Sequence, residues 1–153
     1  MKRVDLGKWI GVCANIGVIA GIVLLAWELH QNSAAAELQA AQSYVAIVNE
    51  LDFRLAEESA LVAALLAPAD ARSSIDAFQV ERFMYGTLRT WENGYYLNLR
   101  GALDDELWSG QVALTKSLLT TNTEFRQYWN DNRMYLSPGF NRFLEVLLAN
   151  DNQ

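Results

Sequence analysis

The chain has 153 residues and a formal net charge of −6 at pH 7. This acidic balance argues against a nucleic-acid partner, because phosphate backbones are bound by clustered basic residues. The single cysteine, Cys13, excludes an intramolecular disulfide and leaves the redox compartment open.

The amino-terminal region contains nineteen consecutive residues without a charged side chain, from Trp9 to Trp27. As a helix this stretch rises about 28 Å, close to a bilayer hydrocarbon core of about 30 Å. Tryptophans suit the membrane interface at each end. The pattern predicts a cytoplasmic amino terminus and transmembrane helix over residues 1–27, followed by one soluble domain over residues 28–153.

Basic residues near the span predict its orientation. Lys2, Arg3 and Lys8 precede it, whereas the first basic residue after it is Arg54. The amino terminus is therefore expected in the cytoplasm. In a bacterial inner membrane this orientation makes the soluble domain periplasmic. A cleavable signal peptide is the alternative, with residues 34–36 as a small-residue cleavage site, but such signals carry only about 7 to 15 apolar residues.

Small residues share one side of the predicted transmembrane helix. Because lipid tails solvate apolar side chains as well as protein does, helices associate in bilayers where small residues permit close backbone approach. This face therefore predicts packing on another transmembrane helix, of a second copy or of a different subunit, and a plain lipid anchor is the alternative. At about 100° per residue the following side chains lie within about 120° of arc: Gly7, Gly11, Ala14, Gly17 and Gly21.

Asn15 lies at the edge of this small-residue face. Its amide can hydrogen-bond to a neighbouring helix, a contact worth about 0.6 to 2 kcal/mol. Interfacial water or its own backbone can satisfy the same amide. Cys13 is expected to act as a small apolar filler, because a thiol in hydrocarbon is poorly ionised.

The remainder of the chain predicts helices only, since no run alternates between apolar and polar residues with a period of two. Neither Gly nor Pro occurs between Glu28 and Ala67, so the first helix is expected to continue beyond the membrane. A short helix over residues 59–66 should end before Pro68. We expect an all-α fold in which the transmembrane helix continues into an antiparallel bundle of about four to five helices.

Capping signals predict the remaining boundaries. A second long helix should begin after Ser73 or Ser74 and run to about Arg100, before a stop at Gly101. The next starts at 104–106 and runs to about Leu119. Two further signals open the last helices: a capping box of Thr121 with Glu124, and Ser137 followed by Pro138.

The second long helix carries two apolar stripes, so it should form the centre of the domain and be covered on two sides. Arg89 and Glu92 lie between the stripes, at spacings of three and four residues with Tyr96 of the second stripe. This set predicts a partly buried ion pair that fixes helix register, or a site for a small polar ligand. The two stripes are Val80, Met84, Leu88, Trp91, Tyr95 and Leu99, and Ile75, Phe78, Tyr85 and Tyr96.

Signatures of catalysis, metal binding and cofactor binding are missing from the sequence. His30 is the only histidine, whereas a zinc site needs three or four side-chain ligands. There is no Gly-x-Ser-x-Gly and no glycine-rich phosphate loop. The chain is therefore expected to have no catalytic residues, metal or cofactor, and not to be an enzyme.

Several phrases resemble a recurring group of uncharacterised bacterial proteins with one amino-terminal span and a helical domain. They comprise residues 25–33, 91–96, 101–108 and 137–140. The resemblance extends over nearly the whole chain and implies a bacterial membrane origin. It implies no activity, and no site residues carry over.

These patterns favour a membrane-anchored structural or accessory subunit whose partners are membrane lipid and another transmembrane helix. The alternative is a tethered, extracytoplasmic small-ligand-binding bundle with Arg89, Glu92 and Tyr96 in its pocket. The lack of an output domain makes a lone sensor the weaker interpretation.

Overall fold

The longest element is a single helix, α1, which spans Leu6–Glu57. The computed structural model describes residues 6–149, apart from the side chains of residues 6–8 and 12. The prediction that the first helix continues beyond its apolar stretch is confirmed. An alanine-rich segment without Gly or Pro favours this continuity, because alanine has the highest helix propensity. By internal contacts the chain divides into two units, residues 1–39 and 40–153.

Five further α-helices follow in the described part of the chain, and single turns of 3-10 helix occupy Ala69–Ala71 and Arg133–Tyr135. Residues 6–149 contain no β-strand, so the all-helical prediction is confirmed. The helices are α2 (Ser59–Leu66), α3 (Ser74–Leu99), α4 (Asp105–Thr121), α5 (Thr123–Asn132) and α6 (Pro138–Ala149).

Local hydrogen bonds explain where the long helices begin and end. Ser73 Oγ accepts from the Asp76 backbone N–H at 3.1 Å, and the Asp76 carboxylate accepts from the Ser73 N–H at 3.3 Å. This reciprocal capping box starts α3. Gly101, with φ +69°, ends the helix in a left-handed conformation that suits glycine. The Asp104 carboxylate accepts from the Glu106 N–H at 2.9 Å and caps α4.

The predicted capping box of Thr121 with Glu124 is wrong. Thr121 is the last residue of α4, and its hydroxyl donates to the Ser117 carbonyl. Asn122 caps α5 instead, with its side-chain oxygen accepting from the Phe125 N–H at 2.9 Å. Asparagine is the stronger N-cap residue, and its extended backbone here separates the two helices.

Helix α3 is central, because it packs against α2, α4 and α5. Its first stripe is buried from Val80 to Trp91, and the rings of Trp91 and Phe125 lie 5.4 Å apart. The buried core cluster consists of Ala64, Val80, Met84, Leu88, Trp91, Leu119, Phe125, Trp129, Leu136, Phe140 and Leu144.

The prediction that α3 is covered on two sides is wrong for most of its second stripe. Ile75 is 69% exposed and Phe78 is 60% exposed, while Tyr96 lies at the surface. The helices that contact α3 meet its first stripe, and the guanidinium of Arg82 lies over the Phe78 ring at 5.5 Å. An exposed aromatic ring is thus partly covered by a cation rather than by another helix.

A second apolar cluster joins the later part of α1 to α3 and to the loop after it. It is formed by Tyr44, Leu97 and Leu103. The Tyr44 ring occupies the space that a side chain at Gly94 would need, since a Cβ there would lie 2.5 Å from Tyr44 Oη. A close approach between α1 and α3 therefore requires glycine at position 94.

Candidate functional site

The apolar stretch of α1 is exposed along its length in the unit formed by residues 1–39. Trp9 and Trp27 are 61% and 63% exposed, and so are the large aliphatic side chains between them that the structure describes. Among the described residues, α1 is the one helix long and apolar enough to cross a bilayer. Such a surface in water carries a high free-energy cost, so it needs a cover of lipid or protein.

The small-residue face of α1 is open. A Cβ added at Gly11, Gly17 or Gly21 would meet no heavy atom of the described residues within 4 Å, apart from the local helix backbone. Ala14 and Asn15 are also exposed. Gly7 belongs to the helix, but its surroundings lie outside the described part of the chain, as do Lys2 and Arg3.

The second predicted site contains a buried carboxylate. Glu92 on α3 is 4% exposed, and its Oε2 accepts a hydrogen bond from Nη1 of the half-exposed Arg89. Its Oε1 accepts from the backbone N–H of Ser137 at 2.6 Å. Ser137 directly precedes α6, so Glu92 ties the middle of α3 to the start of α6. Burial of this carboxylate is tolerable because both of its oxygens are hydrogen-bonded.

Tyr96 shares a surface pocket with this ion pair. The pocket has a volume of about 340 Å³ and is lined by Arg89, Glu92, Asn93, Tyr96 and Ser137. Because both Glu92 oxygens are engaged, the groups left for a ligand are the remaining N–H groups of Arg89, the Asn93 amide and the hydroxyls of Tyr96 and Ser137. Most of these groups can donate a hydrogen bond, while the Glu92 carboxylate balances the charge of Arg89.

Arg72 forms a third polar centre, which the sequence analysis missed. Its side chain is only 4% exposed and lies in the segment between α2 and α3. Nε donates to the Ala64 carbonyl at 2.7 Å, and Nη2 donates to the Ala67 carbonyl at 2.9 Å. The guanidinium therefore satisfies carbonyls at the end of α2 that have no partner within the helix.

The same guanidinium forms a two-point ion pair with Glu124 in the first turn of α5. This hydrogen bonding raises the pKa of Arg72, while burial opposes the increase. Arg72 thus connects α2 with α5. The available sequence signal was a basic residue just past a helix end, which predicts carbonyl capping but does not identify a partner 52 positions away.

Among the described residues, no group of three or more His, Cys, Asp or Glu side chains is placed to hold a metal ion. The chain matches no known protein family, no curated protein and no solved structure. The resemblance to uncharacterised bacterial membrane proteins therefore stays a prediction.

Proposed function

We propose that this protein is a single-pass, membrane-anchored structural or accessory subunit, with its amino terminus in the bacterial cytoplasm and an antiparallel helical-bundle domain in the periplasm. Its small-residue face packs on a transmembrane helix of a second copy or of another subunit. The observation that carries the proposal is the fully exposed apolar stretch of α1, with one open side lined by Gly11, Gly17 and Gly21.

The two sides of this helix suit two different neighbours, lipid tails and a second helix. Large aliphatic side chains such as Ile16, Ile19 and Val23 suit lipid tails, because lipid solvates them without needing a defined shape. The small-residue face offers lipid little side-chain contact but lets a second helix backbone approach closely. Asn15, at the edge of that face, supplies an amide for a hydrogen bond between helices.

Replacement of both Gly17 and Gly21 by isoleucine tests the packing. The branched side chains hold the partner backbone away, so we expect association in lipid bilayers to weaken at least tenfold, about 1.4 kcal/mol. Energy transfer between labelled full-length chains in phosphatidylcholine vesicles measures self-association. Co-purification in mild detergent from the native membrane detects a different subunit.

Ala20→Ile is the control, because helical spacing places position 20 beside Ile16 and away from Asn15. It introduces one isoleucine outside the small-residue face and should leave association unchanged. If the double glycine variant associates as well as the parent chain in both measurements, the small-residue face is not a contact surface and the subunit proposal fails.

The pocket beside Glu92 supports a second candidate function, the binding of a small polar ligand. Its remaining donors suit a ligand that accepts hydrogen bonds, and malonate is the probe. If the pocket is a binding site, malonate raises the melting temperature of the parent chain, and Arg89→Gln abolishes this increase. Arg100→Gln removes an exposed cation at the carboxyl-terminal end of the same helix and should preserve the response. No malonate response in the parent chain would leave the Arg89–Glu92 pair with a structural role alone.

A further inference from the structure

The structure assigns a separate binding site to the gap between the carboxyl-terminal turns of α1 and helices α3 and α4. This apolar pocket has a volume of about 200 Å³. Apolar side chains dominate its walls, and all of them belong to the unit of residues 40–153: Leu51, Leu55, Phe83, Trp91 and Leu118. We propose that it binds a small primary amine with an aromatic or branched apolar body.

The size of the pocket fixes the apolar part of the ligand. An apolar cavity of about 150 Å³ is sufficient to bind benzene, so a pocket of this volume accepts one ring with a short side chain. Its walls come from rigid helices that also form the core, since Trp91 is 5% exposed and contacts Phe125. The site is therefore largely preformed, as small-molecule sites usually are.

Hydrogen bonding within the pocket determines which polar group the ligand carries. The hydroxyl groups of Thr87 and Thr90 donate to the carbonyls of Phe83 and Gly86, each at 2.9 Å. A threonine hydroxyl has one hydrogen, so these two oxygens can only accept further hydrogen bonds. The Gln111 amide nitrogen donates to Thr115 Oγ1 at 3.4 Å, which leaves its carbonyl oxygen as an acceptor and one N–H as a donor.

Asp52 adds a negative charge at the same pocket, from the exposed side of α1. The pocket thus offers a carboxylate, an amide carbonyl and two hydroxyl oxygens whose hydrogens are already donated to backbone carbonyls. Together these acceptors favour a ligand that donates several hydrogen bonds and carries positive charge. A primary ammonium has three donors and no acceptor. The segment from residue 28 onward, with nine basic and seventeen acidic side chains and a net charge of −8, also attracts cations.

Three matched fluorinated probes test this assignment on the full-length chain in phosphatidylcholine nanodiscs. They share one ring and differ in the end group: 4-fluorophenethylamine, 4-fluoroethylbenzene and 3-(4-fluorophenyl)propionate. Fluorine NMR line broadening, corrected for empty nanodiscs, measures binding. We expect the amine to bind most tightly, the neutral probe less tightly and the carboxylate least.

Two substitutions locate the bound amine. Asp52→Asn removes the charge at an exposed position and should weaken amine binding about fivefold while leaving the neutral probe unchanged. Leu51→Trp fills the pocket and should weaken both probes. Glu37→Gln is the control, because it removes an exposed charge from the same helix away from the pocket and should change neither affinity.

Equal binding of all three probes, or no binding above that of empty nanodiscs, would overturn the proposal. It would also be overturned if Asp52→Asn left amine binding unchanged. These results do not depend on association between transmembrane helices, so the two proposals fail separately.

Discussion

Tyr44 is the residue at which packing and polarity conflict most directly. Its ring fills the space above Gly94, and its side chain is 5% exposed. Its hydroxyl oxygen is buried without a hydrogen-bond partner among the residues that the structure describes. A buried hydroxyl without a partner costs about 1 to 3 kcal/mol, so shape complementarity between α1 and α3 is retained here against a polar penalty.

Tyr44→Phe should therefore stabilise the protein by about 1 kcal/mol near neutral pH, because it keeps the ring and removes the unsatisfied hydroxyl. Thermal unfolding of the full chain in nanodiscs, followed by circular dichroism, measures the difference. A loss of stability would mean that the hydroxyl has a favourable interaction in solution.

The stability difference between these two chains should also depend on pH. Burial raises the pKa of Tyr44 from 10.0 to about 12. Folding favours the neutral phenol. The contribution of this phenol to the free energy of unfolding is therefore fully present below pH 10 and is lost as the pH rises towards about 12. Above pH 10 the parent chain should lose up to about 1.4 kcal/mol per pH unit relative to Tyr44→Phe. A difference that stays constant between pH 9 and 11 would contradict the raised pKa.

Gly94→Ala should destabilise the protein by about 1 to 3 kcal/mol, because the added methyl group overlaps the Tyr44 ring. Gly86→Ala is the control on the same helix, since a Cβ there meets no described atom within 4 Å. The control should be neutral or stabilising, because alanine favours the helix. The double variant Tyr44→Phe/Gly94→Ala should recover part of the loss. Equal stability of the two glycine variants would show that Tyr44 moves away without cost.

At the scale of elements, buried charges connect helix ends that the chain alone leaves far apart. Arg72 caps α2 and pairs with Glu124 at the start of α5, and Glu92 in α3 holds the start of α6 through Ser137. Arg72 donates to backbone carbonyls that have no partner at the end of α2, and Glu92 accepts from the backbone N–H of the residue that precedes α6. These contacts fix the relative positions of helices that apolar packing alone specifies less sharply.

Arg72→Lys should destabilise the protein by about 2 to 4 kcal/mol, since one ammonium cannot reach both the α2 carbonyls and the Glu124 carboxylate in the forked geometry of arginine. Arg126→Lys, at an exposed position on α5, should change stability by less than about 0.5 kcal/mol. Urea unfolding of both variants provides the comparison. If both variants lost less than about 0.5 kcal/mol of unfolding free energy, Arg72 would not have the structural role assigned to it.

Across the whole molecule, the apolar stretch of α1 and the acidic remainder of the chain suit two different environments. Residues 9–27 carry no charge, whereas the segment from residue 28 onward has a net charge of −8. An acidic surface is repelled by anionic lipid headgroups. The later helices are therefore expected to remain in water, while the apolar stretch of α1 lies in the bilayer.

A membrane-impermeant maleimide tests this arrangement. Cys13 is the single cysteine, so the parent chain in intact cells should stay unlabelled until the membrane is dissolved. In a Cys13→Ser background, Ser109→Cys on the exposed surface of α4 should be labelled from outside the inner membrane. Labelling of Ser109→Cys only after lysis would place the domain in the cytoplasm and reverse the predicted orientation.

The helical class, the long apolar stretch and most helix boundaries follow from local patterns along the chain, because they depend on residues within about four positions of each other. Ser73 with Asp76, Asp104 and Gly101 act at this range. The error at Thr121 arose where two adjacent cap-forming residues competed. The Arg89–Glu92 pair was accessible from its spacing of three residues.

Contacts between groups far apart in the chain depend instead on how the helices pack. The pairs Arg72–Glu124 and Glu92–Ser137 span 52 and 45 positions. The contact of Tyr44 with Gly94, the exposure of Ile75 and Phe78, and the pocket beside Asp52 likewise depend on how helices approach one another. Such contacts are set by helix packing angles and the loops between helices, which periodicity and capping along the chain do not specify.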